Sequence, residues 1–234
     1  MQTIGIICAC KSELKPFLSY IENQKITEKA GFIFYEGNIG KVHVAAVQCG
    51  ICKVNAALGA QILIDLFHVD GIINSGTAGG MDPVLQIFDT VVAEKAAYYD
   101  VEESILTEEY PYMESVYFES DRKMLAASKE YSRNCGGRVF FGTMVTGEQF
   151  IEDERRDEIN GRFAPLCVDM ETAGIAHACY INKVPFLAVR TITDTAEHKG
   201  LETYSNNSHK AAEIAAGIAM GIIDVIALEN EQEA

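Results

Sequence analysis

Three short, almost unbroken apolar runs constrain this chain more than any other feature: Thr3–Cys8, residues 71–74 and residues 185–192. A strand with one wet face alternates apolar and polar residues, whereas a run without alternation is a strand covered on both faces. Helices supply that cover, and residues 54–67, 123–131, 171–181 and 203–228 carry apolar residues at helical spacing. Thr90–Tyr98 and residues 138–145 read as further strands, and residues 32–36 and 42–48, separated by Asn38-Ile-Gly40, as a hairpin. Ser12 stands where a cap is needed for a first helix, whose first turn accommodates Pro16. No repeat or Gly/Ser/Pro-rich linker divides the sequence. The expectation is an α/β fold in a single domain over residues 1–234, a central mixed twisted β-sheet flanked by α-helices on both sides. Residues 230–234 read as a frayed acidic tail.

Charge narrows the partners. With 34 acidic against 19 basic side chains, the formal net charge is −15. Such a surface repels phosphate backbones and anionic headgroups, so no nucleic acid and no membrane partner is expected. A small neutral or cationic ligand fits better, and carboxylates gathered in a pocket favour a cationic transition state. The first ten residues lack a basic leader and read as a buried strand rather than a signal peptide. Glu213 and Asp224 interrupt the apolar stretch 211–228, which therefore reads as a core helix rather than a membrane span. The seven cysteines are odd in number and sit mostly in apolar runs, as expected of core residues in a reducing, cytoplasmic compartment. Cys49-Gly-Ile-Cys52 has the spacing of a redox or zinc pair, but no second such pair accompanies it. The histidines show no ligand-like spacing, and Ser75 has no legible His–Asp partnership, so neither a metal nor serine chemistry is expected.

Ligands of such folds gather at the carboxyl ends of the strands, and four of these ends run out into small, polar or acidic residues. The first delivers Glu13, which reads equally as a first-turn helix residue. The second, Ile73-Asn-Ser-Gly-Thr-Ala-Gly-Gly80, reads either as a plain tight turn or as a glycine-rich stretch whose amides meet an anion, a ribose or a water; Ser75 and Gly76 are its candidates. It lacks the Lys-Ser/Thr of a phosphate-binding loop. Ile51, past another strand end, is a candidate pocket wall. The third comprises residues 145–151 and 168–174: Phe150 is either a core aromatic or a stacking face, and Glu171 opens an apolar helix. A buried carboxylate there needs donors, which two adjacent sugar hydroxyls would supply. At the fourth, an apolar strand delivers Thr193 and Asp194. A carboxylate leaving so apolar a strand is a candidate for a raised pKa and general-acid work, while Arg190 reads as the partner of a buried carboxylate.

Together these segments resemble the nucleoside phosphorylase/nucleosidase superfamily, and most closely the 5′-methylthioadenosine/S-adenosylhomocysteine nucleosidases. The resemblance rests on Ile4-Gly-Ile-Ile-Cys-Ala9 with Glu13, Ile72-Ile-Asn-Ser-Gly-Thr-Ala-Gly-Gly80, Thr146-Gly-Glu-Gln-Phe-Ile151, Val168-Asp-Met-Glu171 and Val184-Pro-Phe-Leu-Ala-Val-Arg-Thr-Ile-Thr-Asp194. It implies a nucleoside phosphorylase-like three-layer fold and hydrolysis of the N-glycosidic bond, with no cofactor. By the same resemblance, Glu13 activates water, and Asp194, helped by Thr193, donates to adenine N7. Met170 and Glu171 hold the ribose, and Phe150 and the Ile151 backbone hold the base. Ile51 and Tyr204 line the 5′ subsite. A homodimer is implied, with residues 101–113 contributing to the partner's site. Three departures stand out: Cys10 in place of a methionine, Phe88-Asp89 in place of Gly-Asp, and a divergent segment at 101–113.

The alternatives are a phosphorylase on the same fold, a sibling nucleosidase for another 5′-modified purine nucleoside of futalosine type, and a non-catalytic binding protein. A phosphorylase brings an arginine to the first strand end, where this chain has Glu13, and a carboxylate repels phosphate. A binding protein would have lost one of Glu13, Glu171 and Asp194, and all are present.

Overall fold

A computed structural model describes residues 1–151, 153–198 and 200–233. In chain order the elements are β1 (Thr3–Cys8), α1 (Lys11–Leu18), β2 (Glu22–Lys29), β3 (Phe32–Ile39), β4 (Val42–Gln48), α2 (Lys53–Phe67), β5 (Gly71–Gly80), β6 (Thr90–Tyr98) and α3 (Glu103–Thr107). They continue with β7 (Tyr117–Glu119), α4 (Arg122–Ser132), β8 (Val139–Thr146), α5 (Asp153–Phe163), β9 (Cys167–Asp169), α6 (Thr172–Asn182), β10 (Phe186–Asp194) and α7 (Leu201–Glu233). The expected α/β architecture with one mixed sheet is what forms.

The unbroken apolar strands occupy its centre. β1 lies between β4 and β5, parallel to both. Period-two geometry sends Ile4, Ile6 and Cys8 into the core on one face and Ile7 into the core on the other. The same split divides Leu187 and Val189 of β10 from Phe186, Ala188 and Ile192. Helices α2 and α6 cover one face through Leu63, Ile175 and Ala176, and α1, α4 and α7 cover the other through Phe17, Met124 and Ile222. Each such large side chain, taken out of water, contributes roughly 1.5–3 kcal/mol.

One closure positions the site. β10 pairs in parallel with β5 and antiparallel with β6, and β6 continues through β8 and β9 back to β5. That part of the sheet forms a ring, from which β1, β4, β3 and β2 extend. The ring gathers the ends of β5, β8, β9 and β10 around one opening.

Several local expectations are corrected. Cys10, not Ser12, is the N-cap of α1, and Glu13 at the third position reaches back to its amide, which places Pro16 in the second turn. β5 does not stop at Asn74 but continues through the glycine-rich stretch to Gly80, so that stretch is strand rather than turn. β2 is an edge strand of exposed, mainly charged and polar residues with no apolar face to announce it. By length and composition alone α7 is apolar enough to cross a membrane despite Glu213 and Asp224, which sit on its exposed side. That face, with Ala216, Ala219 and Ile223, packs in the core. Of the expected acidic tail, residues 230–233 continue the backbone of α7 and Ala234 lies outside the described residues.

Candidate active site

The ring's opening leads into a cavity of about 300 Å³. Of the residues singled out in the sequence, Glu13, Ile51, Phe150, Ile151, Met170, Glu171, Thr193, Asp194 and Tyr204 all line it. Ser75 and Gly76 are buried but do not line it. Gly76 acts as a spacer instead. A methyl group on it would lie 2.5 Å from Arg190 Nη1 and 2.6 Å from Glu13 Oε1, so only glycine lets these two groups meet across β5. Gly76→Ala is therefore expected to cost about 1–3 kcal/mol by overpacking, measured by denaturant unfolding, and to lower activity with it.

Beneath the cavity a single cation serves several acids. Arg190 is 1% exposed. Its Nη2 lies 2.7 Å from Asp169 Oδ2, 2.8 Å from Asn74 Oδ1 and 3.3 Å from Glu171 Oε2, and its Nη1 lies 3.9 Å from Glu13 Oε1. One amino group has two protons, so these three acceptors oversubscribe Nη2. Asp169 is otherwise well served: Thr146 Oγ1 donates at 2.5 Å, and the Thr172 hydroxyl also donates to it. Glu171 is not. Besides the long contact to Arg190 it accepts, among the described residues, only the Cys52 amide, at 3.0 Å. Burial, against the pull of Arg190 and with the push of Asp169 and Glu13, drives its carboxyl up to about 7. An acceptor so poorly supplied, at the start of α6 and facing the cavity, is ready for donors from a ligand.

The Cys52 amide is held at a price in conformation. Cys52 has φ 81° and ψ 160°, a region that is essentially glycine-only, and this aims its N–H at Glu171. Cys52→Gly is expected to stabilise the fold by about 1–3 kcal/mol with Glu171 still held, seen as a higher Tm at undiminished activity. The Cys49 and Cys52 thiols are free. Among the described residues no group of three or more His, Cys, Asp or Glu side chains is placed to hold a metal ion.

Glu13 is the opposite case to Glu171. Oε2 accepts the Ala9 and Cys10 amides at 2.9 and 3.1 Å, and Oε1 accepts the Thr77 amide and hydroxyl at 2.8 and 2.9 Å. The capping contact accounts for one oxygen only; the other is fixed by β5. This carboxylate is rigid, and it lines the cavity. Cys10 beside it stays a neutral thiol, pushed up to about 11 by burial and by the Glu13 charge.

Asp194 closes β10 next to Gly79. Burial raises its carboxyl, while Thr193 opposes the rise by donating to Oδ1 at 2.7 Å. The Thr193 hydroxyl also lies 3.2 Å from the Ala78 carbonyl. When Asp194 carries a proton, the single hydroxyl proton of Thr193 turns to Ala78, so the pair supports either state. Phe150 and Ile51 stand partly exposed at the mouth. Sequence reasoning missed Thr77, Asp169 and Arg156. Thr77 was hidden among glycines read for their amides, and Arg156 lies in a charged segment that reads as a solvated helix face.

The sequence matches the family model described as the phosphorylase superfamily over residues 3–224. A 5′-methylthioadenosine/S-adenosylhomocysteine nucleosidase of Exiguobacterium sp. AT1b is 37% identical over 220 residues, covering 88% of this chain and 94% of the relative. Among solved structures, the 5′-methylthioadenosine/S-adenosylhomocysteine nucleosidase of Colwellia psychrerythraea in complex with adenine is similar with a TM-score of 0.87 at 30% identity, over 96% of this chain and 95% of that one. A futalosine hydrolase of Helicobacter pylori is similar with a TM-score of 0.88 at 25% identity, over 95% of this chain and 97% of that one.

Proposed function

The chain belongs to the phosphorylase superfamily, and from that premise we propose that it hydrolyses the N-glycosidic bond of 5′-methylthioadenosine or S-adenosylhomocysteine, releasing adenine and the 5-thio-substituted ribose. The relatives that act on these nucleosides share nearly the whole length of the chain. The observation that carries the choice of water over phosphate is the engagement of Arg190. Its guanidinium is held by Asp169, Glu171 and Glu13 and is not free for an anion.

The bond breaks through an oxocarbenium-like state, which needs a proton on the leaving base and a water at the anomeric carbon. Asp194, in its buried and proton-favouring setting, gives the proton to N7 of the purine. The C1′–N9 electrons then pass into the purine ring. Glu13, fixed by its donors, accepts a proton from the attacking water. Glu171 accepts hydrogen bonds from the 2′- and 3′-hydroxyls, and Met170 packs on the ribose. Carboxylates around the cationic sugar stabilise it in a site poor in water. Phe150 stacks on the base, the Ile151 backbone reads its edge, and Ile51 and Tyr204 flank the 5′ substituent.

The assembly we propose is a homodimer, in which residues 101–113 of each protomer complete the partner's 5′ subsite. The exposure of Ile51 at 54%, with Ile105, Tyr110 and Tyr112 likewise exposed, supports it. The free cysteines suit a cytoplasmic setting. A substrate panel tests the specificity. Adenine release from 5′-methylthioadenosine and S-adenosylhomocysteine is expected to exceed release of base from adenosine and from futalosine in kcat/KM. A preference for futalosine would favour the sibling reading and contradict this one.

A further inference from the structure

Helix α5 brings a cation to the leaving-group acid, and the roles above leave it unused. Arg156 is 8% exposed and lines the same cavity as Asp194. Its Nη1 donates to the Gly80 carbonyl at 2.6 Å and lies 3.4 Å from Met81 Sδ, which fixes the guanidinium to the end of β5. That strand end is packed on Asp194. A methyl group on Gly79 would lie 3.3 Å from Asp194 Oδ2, and one on Gly80 3.4 Å from the Asp194 carbonyl oxygen. The end of β5 thus touches both the Asp194 carboxylate and the Arg156 guanidinium, and both side chains line the same cavity. Among the described residues Arg156 Nε is buried without a hydrogen-bond partner, an arrangement that is unfavourable unless the charge does something else.

A general acid ends its step as a carboxylate. In an apolar cavity that carboxylate is disfavoured, and the Arg156 charge acts in the opposite direction to burial. We propose that Arg156 is a positioning residue for the leaving-group acid, a fixed counter-charge that stabilises the Asp194 carboxylate formed as its proton passes to the departing base. In that step the Asp194 O–H bond breaks, the N7–H bond forms and the glycosidic electron pair enters the purine. The role rests on the function proposed above.

Among the described residues, the other titratable groups at the cavity do not compete for it. Tyr204 of α7 is held neutral, pushed up to about 12 by burial. Glu13 of α1, Asp169 of β9 and Glu171 of α6 share Arg190. The facing residues of β5, Gly79 and Gly80, do not titrate.

The test compares wild type, Arg156→Gln and Arg156→Lys in the full chain, with 5′-methylthioadenosine as substrate. It records kcat and kcat/KM against pH, together with Tm. In R156Q burial is opposed by the Thr193 hydrogen bond alone, Asp194 holds its proton to higher pH, and the alkaline limb moves up by about one unit. Its kcat falls roughly ten-fold because the product carboxylate has lost its counter-charge. R156K keeps the charge and the wild-type limb. An R156Q limb coincident with wild type, or an R156K limb displaced like that of R156Q, overturns the proposal; the contact to Gly80 would then be a structural tether. Arg156→Met carries the same test if R156Q does not fold. A wild-type protein that leaves 5′-methylthioadenosine intact overturns the functional reading and this inference with it. That outcome is distinct from a wild type that cleaves and an R156Q limb that stays in place.

Discussion

Replacing Asp194 with asparagine is expected to lower kcat by roughly 10²–10⁴-fold, the range for loss of a positioned general acid, while KM changes little. Asparagine is nearly isosteric. It still accepts from Thr193 at the position of Oδ1 and still stands beside Gly79. What it lacks is a proton to give to the departing base. The variant is expected to be no less stable than wild type. Burial raises the Asp194 carboxyl, so the ionised side chain is the disfavoured one in the fold, and a neutral amide removes that disadvantage. Steady-state kinetics and thermal unfolding of the same preparation check both halves. A large fall in Tm with the fall in rate would make Asp194 a structural residue.

Glu13→Gln is expected to lower kcat by a comparable factor, roughly 10²–10⁴, with a different stability signature. Both oxygens of Glu13 accept hydrogen bonds, from the Ala9, Cys10 and Thr77 amides and the Thr77 hydroxyl. A glutamine must turn its NH₂ toward one pair of these donors. At least one buried N–H then loses its acceptor, at a cost of about 1–3 kcal/mol. The Arg190 guanidinium also loses one of its counter-charges. E13Q is therefore expected to be slower and less stable than wild type, whereas D194N is slower only. Denaturant unfolding of the two variants side by side separates these cases. Wild-type stability in E13Q would show that the donors around Glu13 are not as the structure places them.

That contrast shows what was legible in the sequence and what was not. β1 and β10 could be read because burial on both faces leaves an unbroken apolar run, and with them came Asp194 at the end of one strand and the expectation that Arg190 pairs with acids. Glu171 could be placed at a helix start, since the apolar face of α6 begins there. The ring closure could not be read, because the pairing of β10 with both β5 and β6 is set by distant partners rather than local pattern. Its consequences were lost with it. Ser75 and Gly76 looked like ligand contacts, yet the extension of β5 makes Gly76 a spacer between Arg190 and Glu13. Asp169 and Thr77, which complete the network beneath the cavity, are unremarkable residues until those strand ends meet. Arg156 was invisible because a buried cation on a charged helix carries no local signal. The glycine-like backbone of Cys52 is likewise imposed by the need to aim an amide at Glu171.

The most direct measurement concerns the acceptor of the glycosyl group. The purified chain is incubated with 5′-methylthioadenosine in ¹⁸O-labelled water, with and without inorganic phosphate, and the products are separated and weighed. The account predicts adenine and methylthioribose at the same rate in both reactions, with the label at the anomeric hydroxyl. A strict requirement for phosphate, with a sugar 1-phosphate as product, would contradict it.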